Sequence, residues 1–305
     1  LEITIKDGFF KKTVLFSDGI NMIYSQNNSA GKTTFIRCIL YALGYPIPST
    51  KGLKFENMEF ELILTNNEKM YKLQRRNMDM TVEVENERIA HIKDGVAVTK
   101  FIYWLKKNVG KTTITELSAA DHLFALRKEQ ENFLDNSFDP IVSYAGHAAI
   151  CHYSPSSETD IPLEPHGLAL CDTGGHYLEG STDITRTVVL GPVTEKEKKY
   201  FTLVLKGHLN LAAAKFRYGC TDLNLDYIAR EPLWQLGEDY NHGTGHGVGY
   251  LLNVHEGPNR FRWKTAPGQS ACVLEEGMIT SNEPGYYVEN EFGIRHENLI
   301  VCKKA

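Results

Sequence analysis

The 305-residue chain has no long apolar run. Nothing in it approaches the ~18 consecutive apolar residues of a membrane span, so no membrane partner is expected. It has no cationic excess either. Lys and Arg number 33 against 38 Asp and Glu, a net charge of −5. A mildly acidic chain lacks the electrostatic footprint of a nucleic-acid binder, and no nucleic-acid partner is expected. The six cysteines (Cys38, Cys151, Cys171, Cys220, Cys272 and Cys302) form no CxxC pair. They read as reduced thiols of a cytoplasmic protein, not as a disulfide framework. There is no tandem repeat and no low-complexity tract. The first residues, Leu1 to Lys6, alternate like a strand and carry no signal-peptide core. The chain opens on Leu1 where a whole product would open on Met, as a processed or partial product does. What is present, 42% hydrophobic and 23% charged residues, is close to the globular average. At this length that allows two domains or one large one.

Residues 1–86 read as one unit. Alternation predicts strands over 1–6, 13–16 and 20–24, then 58–64, 70–74 and 80–84. Between the two groups lies QNNSAGKTT, from Gln26 to Thr34, followed by an apolar helix-like run over 35–43 that Gly44 stops. A strand, a Gly-Lys-Thr turn and a helix make a phosphate-binding arrangement. Backbone N–H groups at the helix start face phosphate, with Lys32 adding charge and Thr33 a metal-binding hydroxyl. Gly31, Lys32 and Thr33 are the candidate nucleotide contacts. The segment resembles the start of chromosome-maintenance-type P-loop ATPases. It departs from them at Gln26, where GxxxxGK[ST] has its first glycine. The later acidic strand residue that hydrolysis needs does not appear before the chain changes character.

From Glu87 onward, taken here as a second domain over 87–305, the pattern turns helical. One long helix is predicted to end near Gly110. A second opens at Ser118, with Asp121 in a capping-box relation, and runs towards Phe133. A short strand is expected over 149–153 and a buried one over 168–172. Gly174, Gly175 and Gly180 then turn the chain into a returning strand over 182–190. Thr194 and Glu197 form a capping box for a helix with Phe201, Val204, Leu205, His208 and Ala212 on one side, stopping near Gly219. A further helix covers 222–237.

The chemistry concentrates between His242 and Glu297, where histidines and glutamates sit among glycines. Residues equidistant from an antiparallel turn face each other. Asp172 and Asp183 have their midpoint between Tyr177 and Leu178. Glu283 and Glu297 have theirs at Asn290. Both midpoints fall in turns, which predicts two pairs of adjacent carboxylates. Like charges side by side repel, so the pairs need a cation, and His246 adds an imidazole. Four carboxylates match the charge of two divalent ions, a donor set suited to hard or borderline metals.

Asp172 and Asp183 with ten residues between them, His246 in HGTGHGVG, Glu283 in NEPGYY and Glu297 in GIRHEN resemble the pita-bread metallopeptidases. Within these, the segments around His152, Asp183, His208, His246 and His255 are similar to the Xaa-Pro aminopeptidase (aminopeptidase P) branch. The resemblance implies an α+β pita-bread catalytic domain behind the small N-terminal P-loop-like α/β fragment. It implies two divalent ions, manganese by family habit, on Asp172, Asp183, His246, Glu283 and Glu297, with Asp183 and Glu297 bridging. It implies an exopeptidase that releases the N-terminal residue from peptides with proline in second position, by attack of a metal-bridging hydroxide. Glu283 would move the proton, and His152, His242 and His255 would contact substrate. Arg295 would support the bridging glutamate, and a homodimer is the expected assembly. His296 departs from the family's aliphatic residue at that place, and the ATPase-like fragment stands where the family has its own N-terminal domains. Two other readings remain: a pita-bread domain without catalysis that binds a peptide or partner, and a P-loop nucleotide-binding module.

Overall fold

The computed structural model describes residues 2–7, 10–15, 59–66, 69–76, 79–82, 84–251, 253–265 and 270–304. Gly31, Lys32 and Thr33, the expected strand over 20–24 and the expected helix over 35–43 lie outside the described residues. The N-terminal strands β1 (Glu2–Asp7), β2 (Phe10–Leu15), β3 (Glu59–Asn66), β4 (Lys69–Arg76) and β5 (Asp79–Val82) form an antiparallel sheet in the order β2-β1-β3-β4-β5.

Two helices follow, α1 (Val84–Asn108) and α2 (Glu116–Lys128). Ala97, Phe101 and Leu105 recur at helical spacing on α1 and meet Ala119 and Leu123 of α2 in one apolar core. The N-cap of α2 is Thr115, not Ser118. Thr115 Oγ1 accepts from the Ser118 N–H at 3.2 Å, and Ser118 Oγ accepts from the Thr115 N–H at 2.8 Å. Ser118 is thus the third residue of the box, and the helix starts a turn earlier than the sequence predicted. It also stops earlier, because Phe133 opens the strand β6 (Phe133–Asn136).

β7 (Ile141–Tyr144) joins β8 (Leu168–Thr173) and β10 (Ile184–Val189) in a three-stranded sheet. β9 (Gly175–Tyr177) leaves that sheet to pair with β6. Residues 149–153, expected as a strand, instead follow a 3-10 helix over Ala145–Ala149. The backbone bonds here are local, Ile150 N–H to His147 O and Tyr153 N–H to Ile150 O, each at 3.0 Å, the pattern of turns and not of a ladder.

Next come α3 (Glu195–Ala212), capped by Thr194 and Glu197 as expected, and α4 (Asp222–Trp234). On α3 the buried face is Tyr200, Val204, Gly207, His208 and Leu211. Ala212 is exposed, because the stripe advances by three and four residues from Tyr200 and not from Phe201. β11 (Gly245–Val248), β12 (His255–Phe261), β13 (Ile279–Asn282) and β16 (Asn298–Val301) form a four-stranded sheet. β14 (Gly285–Val288) and β15 (Phe292–Arg295) extend the β13–β16 hairpin. Among the described residues no helix is long and apolar enough to cross a membrane.

Candidate metal centre

Two hairpins carry the carboxylates. In the second, Asn282 pairs with Asn298 on one side of the acidic pair, and Gly285 with Arg295 on the other. Both ladders share one register centred on Asn290, whose φ of 60° makes the turn. Glu283 and Glu297 therefore stand opposite each other.

The first hairpin differs from its sequence-based expectation. Asp172 pairs with Thr185, so Asp183 is its diagonal neighbour rather than its direct partner. The cause is the intervening loop. β9 turns away to pair with β6, and Gly174 lies so close to the Thr182 carbonyl that a Cβ there would sit 1.9 Å from it. A two-residue offset keeps the pleat, so both carboxylates still face the same side.

Threonines stitch the hairpins together. Thr185 Oγ1 donates to Glu297 Oε2 at 2.6 Å, and the Glu297 N–H donates to Thr185 O at 3.2 Å. Thr187 Oγ1 donates to Arg295 O at 2.9 Å. On β11 the His246 N–H donates to Ser281 Oγ at 2.9 Å, and Ser281 Oγ donates to Glu283 Oε1 at 3.0 Å. His246 Nδ1–H donates to Gly247 O at 2.9 Å, which leaves Nε2 facing the acids. That nitrogen lies 3.4 Å from Asp183 Oδ2 and 3.2 Å from Glu283 Oε1. One ligand atom each from Asp183, His246 and Glu297 fits within 4.8 Å of the others. Asp172 is held by Arg295, whose Nη2 donates to Oδ2.

The donor set fits a divalent metal. Asp172 Oδ1 and Glu297 Oε1 are buried and have no hydrogen-bond partner among the described residues, although buried polar atoms are normally paired. The electrostatics agree. Burial raises Asp183 to about 6, with Asp172 and Glu283 adding repulsion against the opposing His246 contact. Burial, Asp183, Glu283 and Asp172 push Glu297 well above the carboxylate range. Burial would raise Glu283 as well, but its hydrogen bond and charge contact with His246 prevail and lower it to about 2. Burial lowers His246, yet the hydrogen bonds and charges of Asp183 and Glu283 prevail and raise it to about 10. The site thus concentrates more anionic character than its own residues can neutralise, which a multivalent cation would relieve.

All five acidic and imidazole residues line one cavity of about 660 Å³, together with His152, His242, His255 and Arg295. Burial depresses His242 to about 4, leaving it neutral at physiological pH. Its Nδ1–H donates to Gly243 O at 2.7 Å, and its Nε2 accepts from the Tyr287 hydroxyl at 2.9 Å. Arg295 Nη1 donates to the Tyr287 oxygen at 2.7 Å. Arg295 thereby joins His242 to Asp172 through Tyr287, a link that nothing in the spacing of the sequence signals. His255 stands edge-on to His246 with ring centroids 4.2 Å apart.

Behind the cavity, helix-borne carboxylates anchor its parts. Glu116 on α2 accepts from the Tyr144 N–H at 2.8 Å and from the Tyr153 hydroxyl at 3.0 Å, fixing the segment that carries His152. Asp226 on α4 accepts from Thr244 Oγ1 and from Arg230 Nε, each at 2.6 Å, and Arg230 Nη2 reaches His242 O at 2.7 Å. Asp94 on α1 pairs with Arg127 on α2, both with fully buried side chains.

Burial raises the Asp94 carboxyl, but the Arg127 charge and hydrogen bond, with help from Thr182 and Tyr177, outweigh it and hold it below the usual range. A depressed carboxylate stabilises the fold above its unfolded value of about 3.9, and that contribution is lost as pH falls through the folded value. Thermal melts at descending pH should therefore show an acid limb below about pH 4 that flattens in Asp94→Asn. An unchanged limb would contradict this sign.

Comparison with known proteins gives the same picture for this part of the chain. The model of metallopeptidase family M24 matches residues 85–304, and an AAA domain model matches residues 8–147. A probable Xaa-Pro aminopeptidase P from Arthroderma gypseum is 44% identical over 230 residues, 73% of this chain and 35% of that protein. One from Tuber melanosporum is 47% identical over 224 residues, 73% of this chain and 36% of that protein. The chain thus spans about a third of the length of these curated relatives. Among solved structures, the X-prolyl aminopeptidase of Caenorhabditis elegans, described as a cytosolic enzyme with a di-nuclear active site, superposes with a TM-score of 0.66. It is 39% identical and covers 70% of this chain and 35% of its own. A prolidase from Pyrococcus furiosus superposes with a TM-score of 0.62 at 28% identity, covering 73% of this chain and 62% of its own. With a family model spanning most of its length and both acidic hairpins in place, the chain belongs to metallopeptidase family M24.

Proposed function

We propose that this chain is a metal-dependent, cytoplasmic exopeptidase that releases the N-terminal residue from peptides with proline in second position, and that it works as a homodimer. Asp172, Asp183, His246, Glu283 and Glu297 would hold two divalent ions, manganese first among them. When bound, such ions act as Lewis acids on the scissile carbonyl and make water acidic enough to attack at neutral pH. The observation that carries this reading is the pair of buried oxygens without a hydrogen-bond partner among the described residues, Asp172 Oδ1 and Glu297 Oε1, on residues that line the same cavity as His246.

The chain's own residues supply the remaining chemistry. Glu283, held ionised, takes the proton of the attacking water and delivers it to the departing proline nitrogen. His152 and His255 face the cavity, where they can donate to the oxygen that gains charge. His242, turned towards Tyr287, acts as a neutral wall that fixes the substrate's approach. Proline has no N–H and a fixed φ, so a peptidase that reads that N–H fails on such peptides. Release of the first residue from an Xaa-Pro peptide by the manganese-loaded chain tests this, and no turnover would sink it. Sedimentation at micromolar concentration tests the dimer.

The AAA-domain match supports a second reading for the N-terminal unit, nucleotide binding at Gly31, Lys32 and Thr33. ATP binding that disappears in Lys32→Ala is the expected result, and equal binding by wild type and variant would refute it.

A further inference from the structure

The strand that carries Asp172 and the segment before β10 that carries Asp183 are gripped from the helices. We propose that Asp94 and Arg127 are positioning residues that set the separation of Asp172 and Asp183, and with it the affinity for divalent metal; this rests on the metal-site reading above.

The geometry is continuous. Arg127 Nε donates to Asp94 Oδ1 at 2.7 Å and Nη2 to Asp94 Oδ2 at 3.1 Å, a two-pronged pair with no exposed side-chain surface. The same Nη2 donates to Thr173 Oγ1 at 2.9 Å. Thr182 Oγ1 donates to Asp94 Oδ2 at 2.8 Å, and the Tyr177 hydroxyl donates to Asp94 Oδ1 at 3.0 Å. Asp94 thus collects donors from Arg127, from the loop and from the residue before Asp183. Arg127 reaches the residue after Asp172.

Thr173 directly follows Asp172, and Thr182 directly precedes Asp183. Successive side chains along β8 point to opposite faces, so Thr173 and Asp172 face opposite ways. Thr173 and Thr182 bond to the helix-borne pair, while Asp172 and Asp183 line the cavity. The peptide plane between each threonine and its neighbouring aspartate is rigid, with Cα atoms about 3.8 Å apart, so a shift of one threonine is passed on to the aspartate. Within the loop the strand ends are closed as well. The Gly175 N–H donates to Thr182 Oγ1 at 2.9 Å and Ser137 Oγ donates to Thr182 O at 2.9 Å. The ion pair is then the one ionic tie, among the described residues, between the two threonines. Ligand placement within roughly 0.5 Å is what a tight site requires.

A role confined to stability makes a different forecast. Buried ion pairs can be exchanged for apolar residues of similar volume with little loss of stability. The test is titration calorimetry of the full chain with manganese chloride. Thr182→Val keeps the ion pair and the side-chain shape but cuts the tie to Asp183, and the double variant Asp94→Leu with Arg127→Met removes the pair. Both should bind the first manganese about 10- to 100-fold more weakly, as loss of supporting contacts to ligands does. Thr202→Val, at an exposed threonine whose hydroxyl donates to Lys198 O on its own helix, should bind as wild type does. If the double variant fails to fold, Thr182→Val decides the matter, with thermal melting as the check of its fold. Wild-type affinity in folded Thr182→Val overturns the proposal while leaving the metal site standing. No manganese binding by the wild type overturns both.

Discussion

Glu283→Gln should lower kcat/KM for an Xaa-Pro peptide by about 10³-fold or more while the chain stays folded. General acid–base catalysis by a positioned side chain contributes about 10²–10⁴-fold, and the change also takes one negative charge from the candidate metal centre. Glutamine is nearly isosteric, so the Ser281 hydroxyl, 3.0 Å from Oε1, still finds an amide oxygen to donate to. The substitution thus removes the acceptor of the water proton without removing the side chain's place in the packing. The Glu283 N–H contact to Thr244 O at 2.8 Å is a backbone bond and survives. The measurement is steady-state release of the first residue with manganese present, beside a thermal melt. A variant with more than a tenth of wild-type kcat/KM would exclude Glu283 from the proton transfer.

Arg295→Met should have the second largest effect. Arg295 is 1% exposed and donates to Asp172 Oδ2 and to Tyr287. Losing it leaves an acceptor buried beside Asp172 Oδ1, which already has no partner among the described residues. Removing one member of a buried pair costs about 3–5 kcal/mol. The orientation of Asp172 and His242 is lost in the same step, and manganese affinity should fall about 10- to 100-fold. Because a metal that binds only the folded chain stabilises it by mass action, added manganese should recover part of the lost stability. Urea denaturation with and without the metal measures both quantities. A destabilisation below about 1 kcal/mol would mean that Asp172 finds another donor. Arg295→Lys should restore charge but not the fork that reaches Asp172 and Tyr287 together.

Half of the acidic site was legible in the sequence because of a simple ladder. Between Glu283 and Glu297 no residue leaves the register, so distance from Asn290 alone places the pair. The same reasoning slipped by two residues at Asp172 and Asp183, because β9 seeks its partner in β6, about forty residues earlier in the chain, and spacing cannot show that. The offset preserved the face but not the direct pairing. Helix starts suffered a similar limit. Thr115 and Ser118 both suit a cap, and only the mutual backbone bonds show that Thr115 holds the first place. The anchoring acids were invisible for another reason. Asp94, Glu116 and Asp226 belong to no motif and no turn-centred pair, so nothing in their spacing marks them, yet each is 0% exposed. His296, which departs from the family pattern, proves to be a packing residue. Its ring stands edge-on to Phe201 at 4.4 Å, and its Nε2 approaches Phe201 O at 3.4 Å.

The helix-borne acids also determine what could be moved to another scaffold. Glu116 grips the His152 segment, Asp226 the His242 turn, and Asp94 the ends beside Asp172 and Asp183. A designer who transplanted only the cavity-lining loops would leave their tethers behind and carry over acids with nothing to set their aim. The smallest portable module is each loop with its helix, which makes α1, α2 and α4 part of the recipe for the centre although none of them supplies a ligand.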